Sequence, residues 1–232
     1  MCRRWIPVIV VVGLFIIAAG AVQEPQSTAP PPAAETVLAL SPPLRDGETS
    51  VEEALWQRRS VRDFTEASIT AADLAQLLWA AQGTNRGERR RTAPSAGALY
   101  PMEVYCVAGS VSGLDAGVYR YRSRTHELVK VADGDHRASL AAAAGQRWIA
   151  AAPATLVIAG VYERAAGKYG DRARRYVHIE AGAVTENVYL QAACLKLGTT
   201  CVGAFADGRV REVCSMRPNE QPLCILPIGH PQ

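Results

Sequence analysis

Hydrophobic residues recur at helical spacing twice before residue 85. Ser50 with Glu53 three residues on makes a capping-box start, and Val51, Ala54 and Leu55 give an apolar face running to Arg58. Thr70 with Asp73 repeats that signature, and Leu74, Leu77, Leu78 and Ala81 follow at helical spacing until Gly83. Asn85 to Arg91 reads as a polar, basic loop. The pattern then changes: Glu103 to Ala108, Gly117 to Tyr121 and Glu127 to Val131 read as strands of a meander. Ala138 to Ala144 and Gln146 to Ala151 read as helical. Thr155 to Ala159 is a continuous apolar run that suits a strand buried on both faces. The longest predicted element runs from Arg172 to Leu197, capped by Asp171 after Gly170 and stopped by Gly198. Tyr176, Val177, Ile179, Val184, Val188 and Leu190 leave it little polar surface, which predicts burial on all sides and a partner subunit against its second face. Cys201 to Phe205 and Leu223 to Ile228 read as two further strands with a short helix between. Helices and strands mixed in this way, with meander and crossover connections, predict an α+β sandwich.

The first 43 residues stand apart from this pattern. Arg3 and Arg4 precede an apolar run from Trp5 to Ala19, and Ala19-Gly20-Ala21 supplies small residues of the kind a signal peptidase accepts. Residues 1–22 therefore read as a signal peptide or membrane anchor, which predicts an exported or membrane-anchored protein with N-terminal membrane contact. Residues 23–43 are rich in Pro, Ala, Ser and Thr and read as an extended linker. That leaves residues 44–232 as one domain.

With 49% hydrophobic and 20% charged residues, the chain has the composition of a globular protein with a sizeable core. Its net charge of +3 shrinks to +1 once Arg3 and Arg4 are set aside, so the body has no general attraction for a polyanion and nucleic acid is not an expected partner. Six cysteines occur without a CxxC pair, mostly in apolar runs, and read as buried, inert thiols; a disulfide among Cys201, Cys214 and Cys224 stays open.

The common catalytic motifs are absent: no HExxH, GxSxG, GxxxxGK or GxGxxG, and four histidines too scattered for a metal cluster. No metal site is expected, and any chemistry should lean on an organic cofactor. Three clusters are left. Arg58-Arg59-Ser60-Val61-Arg62 offers guanidinium forks and a hydroxyl suited to a phosphate, although such a run alone is more often a solvated helix end. Thr92 to Pro101, containing Pro94-Ser95-Ala96-Gly97-Ala98, has small residues that let a backbone approach a flat ring. Val202-Gly203-Ala204-Phe205 is a turn whose N–H groups could face a ligand.

Taken together and in order, RRSVRDF, LLWAAQG, RTAPSAGALYPMEVY, KYGDRARRYVHIEAGAVTENVYLQAACLKLG, VGAF and LPIG resemble the nitroreductase-like FMN superfamily, in particular its SagB/ThcOx-type dehydrogenase branch. The resemblance covers the chain from Val51 onward. It implies a three-layer α-β-α sandwich with FMN at a homodimer interface, and an FMN-dependent oxidoreductase working by hydride transfer at flavin N5. It places Arg58, Arg59, Ser60 and Arg62 at the FMN phosphate and ribityl chain, and Pro94, Ser95, Ala96, Gly97 and Ala98 against the flavin, often from the other subunit. Gly203 and Ala204 fall near the N5 and O4 edge. Lys168-Tyr169 matches the pair given the proton-transfer role in azole-forming relatives; a lysine becomes a base where burial disfavours its charged form, and an exposed lysine on a loop before a helix cap is the equal alternative. Many relatives end in a basic segment that reaches the phosphate. This chain has Gly229-His230-Pro231-Gln232 there, with His230 as a weak substitute. NAD(P)H is the expected electron donor under a nitro- or quinone-reductase reading, and the substrate is a small molecule or peptide. A non-catalytic flavin-binding or storage module is the rival reading.

Overall fold

The computed structural model of the protein describes residues 35–85 and 90–232. Seven strands form one sheet: β1 (Val37–Ala39), β2 (Met102–Ala108), β3 (Gly117–Arg122), β4 (Glu127–Asp133), β5 (Ala154–Gly160), β6 (Gly198–Thr199) and β7 (Gln221–Gly229). Their spatial order is β1-β4-β3-β2-β5-β7-β6, and every neighbouring pair is antiparallel. The helices are α1 (Val51–Gln57), α2 (Ala71–Gln82), α3 (Arg137–Ala144), α4 (Tyr162–Tyr169), α5 (Ala173–Cys194) and α6 (Asp207–Val213).

Side chains alternate along the central strands, so one sequence run feeds two cores. Val104 and Cys106 of β2 and Leu156 and Ile158 of β5 pack with Leu74, Leu77 and Leu78 of α2 and Val177, Val184 and Val188 of α5. Tyr105, Val107 and Val157 point the other way, against Leu140 of α3 and Val210 of α6. The product is the expected three-layer α-β-α sandwich. All seven residues of β5 are buried, as its unbroken apolar run predicts; Leu156→Ala there would cost about 2–5 kcal/mol. Local signals hold the helix starts: the Ser50 hydroxyl accepts the Glu53 N–H at 3.1 Å, and Thr70 with Asp73 forms a complete capping box.

Several expectations are corrected. Val37–Ala39 lies inside the stretch read as linker, yet it pairs with β4 as an edge strand, so the folded body begins before residue 44. The expected leader, residues 1–22, and the linker up to residue 34 lie outside the described residues; no helix among the described ones is long and apolar enough to cross a membrane. The long helix buries one face within the chain, and Arg174, Arg175, His178, Ile179, Gly182 and Glu186 form an exposed stripe opposite, the face expected to meet a partner subunit. It ends at Cys194, not beside Gly198. Lys196 takes the left-handed position at φ 56°, its N–H bonding Ala193 O at 3.0 Å and the Leu197 N–H bonding Ala192 O at 2.8 Å. The predicted strand from Cys201 to Phe205 reduces to one bridge, Val202 with Ile225. Finally, Lys168 and Tyr169 lie on a short helix, α4, and not on a loop; Tyr162, Ala165 and Tyr169 give it a narrow inner face against the core, with Ala165 its one buried residue.

Candidate active site

At the end of α1 the Arg58 N–H closes onto Ala54 O, and the backbone then turns extended (φ −58°, ψ 132°). Arg58 to Arg62 therefore leaves as a ribbon and does not continue a helix. Ser60 bridges Thr199 in parallel, and the Val61 N–H donates to Thr199 O at 3.0 Å. Gly198 makes that approach possible, since a Cβ there would stand 2.6 Å from Val61. Tyr189 of α5 lies beneath. Its hydroxyl sits 3.3 Å from the Ser60 hydroxyl and accepts the Cys201 N–H at 2.7 Å, and its ring carries the Arg58 guanidinium at 5.1 Å.

These elements enclose a cavity of about 210 Å³, lined among others by Arg58, Arg59, Tyr189, Lys196 and Thr199. Two buried polar atoms of its lining, Arg58 Nε and Thr199 Oγ1, have no hydrogen-bond partner among the described residues. Unpaired buried polar groups cost about 1–3 kcal/mol each. A ligand rich in acceptor oxygens and negatively charged would satisfy both and meet the Arg59 and Lys196 cations. A phosphate has that chemistry, and the cavity is smaller than the ~300–1,000 Å³ of a whole-ligand pocket.

The second cluster is the loop from Pro94 to Tyr100. Ala96–Ala98 forms a 3-10 turn. Gly97, Ala98 and Tyr100 all have positive φ (64°, 54° and 47°), which for Ala98 and Tyr100 costs of order 1–3 kcal/mol each. Several contacts hold the loop there. The Tyr100 N–H donates to Ser95 Oγ at 2.9 Å, Arg164 Nη1 donates to Tyr100 O at 3.0 Å, and the Arg91 guanidinium stacks 5.0 Å from the Tyr100 ring. Lys168 and Tyr169, in the last turn of α4, converge on the same loop. A Cβ at Gly97 would stand 2.8 Å from both Lys168 Nζ and Tyr169 Oη, so the missing side chain is what admits these two polar heads. Lys168 is exposed in the single chain, with Nζ 5.5 Å from the Tyr169 ring; any burial of its amine must come from something laid over the loop.

The expected residues thus fall into two groups at different levels of α5. Arg58, Arg59 and Ser60 join Thr199 near Tyr189, while Ser95 to Ala98 join Lys168 and Tyr169 near Glu180. Nine residues of helix separate Glu180 from Tyr189, about 14 Å along its axis. Gly203 and Ala204 are exposed on the Tyr189 side, with open space where a Gly203 Cβ would stand. Arg62 is exposed and outside the lining of the small cavity. The Thr65 N–H donates to His230 O and the Gln232 N–H to Asp63 O, which brings the C-terminus beside the arginine ribbon. Gly229 is buried, and a Cβ there would stand 2.7 Å from Pro153 and 3.0 Å from Phe64, so its small size serves packing.

The five described cysteines are free. Burial pushes the Cys106 and Cys214 thiols up, as inert groups require. Cys201 departs from that expectation: it is exposed, and a hydrogen bond from the Cys224 thiol lowers it to about 7. Sequence reasoning also missed Lys196, Thr199, Tyr189 and Glu180. Lys196 was hidden by the assumption that Gly198 ends the helix; Thr199 and Tyr189 become visible only when the Ser60 ribbon is laid beside β6.

Residues 55–230 match the family model described as the nitroreductase family. A protein of Methanocaldococcus jannaschii, provisionally named a nitroreductase, is 44% identical over 183 residues, covering 78% of this chain and 91% of that protein. A crystal structure of a protein from Ralstonia eutropha, also provisionally named a nitroreductase, superposes with a TM-score of 0.75 at 30% identity, covering 84% of this chain and 90% of that one. The Escherichia coli microcin synthetase McbBCD complex with truncated pro-MccB17 bound shares the fold, with a TM-score of 0.66 at 22% identity over 94% of this chain and 85% of that one.

Proposed function

The chain belongs to the nitroreductase family, and we propose that it is an FMN-dependent oxidoreductase whose site is shared between the subunits of a homodimer. The observation that carries this reading is the pair of buried, unpartnered atoms, Arg58 Nε and Thr199 Oγ1, in a cavity that also presents Arg59 and Lys196. These residues fit the phosphate of FMN. When bound, FMN supplies hydride acceptance and donation at N5. The chain's own residues do the rest. Arg58, Arg59, Lys196 and Thr199 bind and orient the phosphate end. Gly203 and Ala204 offer an unobstructed backbone for the ring edge. The loop from Pro94 to Ala98 presents a flat, small-residue surface, and Lys168 Nζ with Tyr169 Oη holds a proton above it.

Two features favour a composite site. The arginine ribbon and the Ser95–Ala98 loop are separated along α5, each beside a cavity of its own. The exposed apolar face of α1, with Val51 at 65%, Leu55 at 53% and Trp56 at 90% exposure, together with Ile179 on α5 at 63%, suits burial by a second copy. The motif pattern supports the SagB/ThcOx-type branch. The donor under this reading is NAD(P)H or the substrate itself, a small molecule or peptide.

The test is a titration of purified protein with FMN, followed by flavin fluorescence and sedimentation, and then by addition of NAD(P)H and nitroaromatic or quinone acceptors. Stoichiometric binding by a dimer and cycling of the bound flavin is the expected result. Bound flavin that never turns over would replace the enzyme with a storage module. A monomer that ignores FMN would overturn both.

A further inference from the structure

The loop that meets Lys168 and Tyr169 is held from below by a closed polar circuit. The Tyr100 N–H donates to Ser95 Oγ at 2.9 Å, and the Ser95 side chain faces the Glu180 carboxyl, where it opposes the rise in pKa that burial causes. Gln82 Nε2 reaches Glu180 Oε1 at 3.5 Å, and Gln82 Oε1 accepts from Arg91 Nη1 at 2.8 Å. Arg91 returns to the start by stacking on the Tyr100 ring. Glu180 is 3% exposed on the core face of α5, and Gln82 is fully buried at the end of α2. A carboxyl is an expensive group to place there, and burial raises its pKa against the opposing pull of Ser95, Gln82 and Arg91.

No packing need explains a glutamate at this position, where a leucine or methionine would fill space at less cost. What a carboxyl adds is an acceptor fixed on a rigid helix, aimed at the one hydroxyl that also receives the Tyr100 N–H. That N–H belongs to a residue at φ 47°, a conformation a tyrosine leaves unless its surroundings over-determine it. We propose that Glu180 is a positioning residue: through Ser95 it locks the Ser95–Tyr100 loop in its left-handed form and so sets where Lys168 and Tyr169 stand. The lock itself is independent of the flavin reading; only its consequence for turnover rests on that reading.

Hydrogen exchange followed by mass spectrometry on the full chain, with and without FMN, tests this without relying on activity. In Glu180→Ala the segment 95–100 should exchange about tenfold faster, the scale set by one lost buried hydrogen bond, while β2 and β5 keep their wild-type protection. Glu180→Gln, which keeps an acceptor, should restore much of the protection. Ser95→Ala should reproduce the alanine effect with Glu180 intact. Unchanged exchange at 95–100 in either alanine variant overturns the proposal. So does faster exchange spread evenly through β2 and β5, which marks a merely structural role. Should Glu180→Ala fail to fold, Glu180→Leu, which fills the space without an acceptor, takes its place: faster exchange confined to 95–100 is expected, and unchanged exchange overturns the proposal. FMN binding measured in parallel keeps the outcomes separate: a wild-type chain that ignores FMN removes the functional reading and leaves the exchange result standing.

Discussion

The two ends of α5 are built on opposite principles. Around Tyr189 the polar groups are left open: Arg58 Nε and Thr199 Oγ1 are buried without partners, two further cations line the same cavity, and Lys196 is held at positive φ. Around Glu180 the groups form a circuit in which Tyr100, Ser95, Gln82 and Arg91 each have a partner, and the strain at Tyr100 is contained by it. An open end is where a ligand contributes the missing interactions; a closed end is where geometry must already be right before anything binds. Binding and rate should therefore separate along one helix.

Substitutions at either end test that separation. The largest effect is expected from Lys168→Ala: turnover should fall by about 10²- to 10⁴-fold, the usual weight of a general acid–base, with FMN affinity as in the wild type. Steady-state kinetics with a flavin titration checks it, and full activity would return Lys168 to the surface. Arg58→Ala acts at the other end. Loss of a charge-assisted contact should weaken FMN binding by about 10- to 100-fold and leave turnover intact at saturating FMN. Equal affinity in the two proteins would remove the phosphate assignment.

Smaller and more diagnostic is Lys196→Gly. Relief of the left-handed backbone should raise unfolding stability by about 1 kcal/mol, while loss of an exposed cation weakens FMN binding about two- to fivefold. A rise in stability without any loss of affinity would confine Lys196 to the helix end. Gentlest of all is alkylation of Cys201. With its thiol lowered to about 7, the rate should climb with pH as the thiolate forms and reach half its maximum near neutrality, and bound FMN should slow it. A thiol that reacts only in alkaline solution contradicts the contact with Cys224.

Much of this was legible in the chain because the signals were local. Thr70 and Asp73 announced α2, the unbroken apolar run at 155–159 announced β5, and the RRSVR and PSAGALYP segments fall in the two polar clusters that the fold gathers along α5. What failed depended on distance. Val37–Ala39 looks like linker until β4 offers it an open edge. The Lys196 turn lacks the glycine that usually marks a helix end, since its Lys takes the left-handed position in front of Leu197. The role of Glu180 cannot be read from KYGDRARRYVHIEAG, because Gln82, Arg91 and Ser95 reach it from 85 to 98 residues away. The apolar letters of α5 predict two buried faces; the chain itself covers one and leaves Ile179 and Glu186 on the stripe where a partner subunit is expected.

Whether each site takes its open end from one subunit and its closed end from the other is decided by mixing two impaired proteins. Arg58→Ala and Lys168→Ala chains, unfolded together and refolded at equal amounts, should regain about a quarter of the wild-type turnover at limiting FMN. Half of the random dimers are mixed, and each mixed dimer holds one site free of both substitutions. If both ends came from the same subunit, every site would carry one lesion or the other, and the mixture would show no more activity than the average of its two parents.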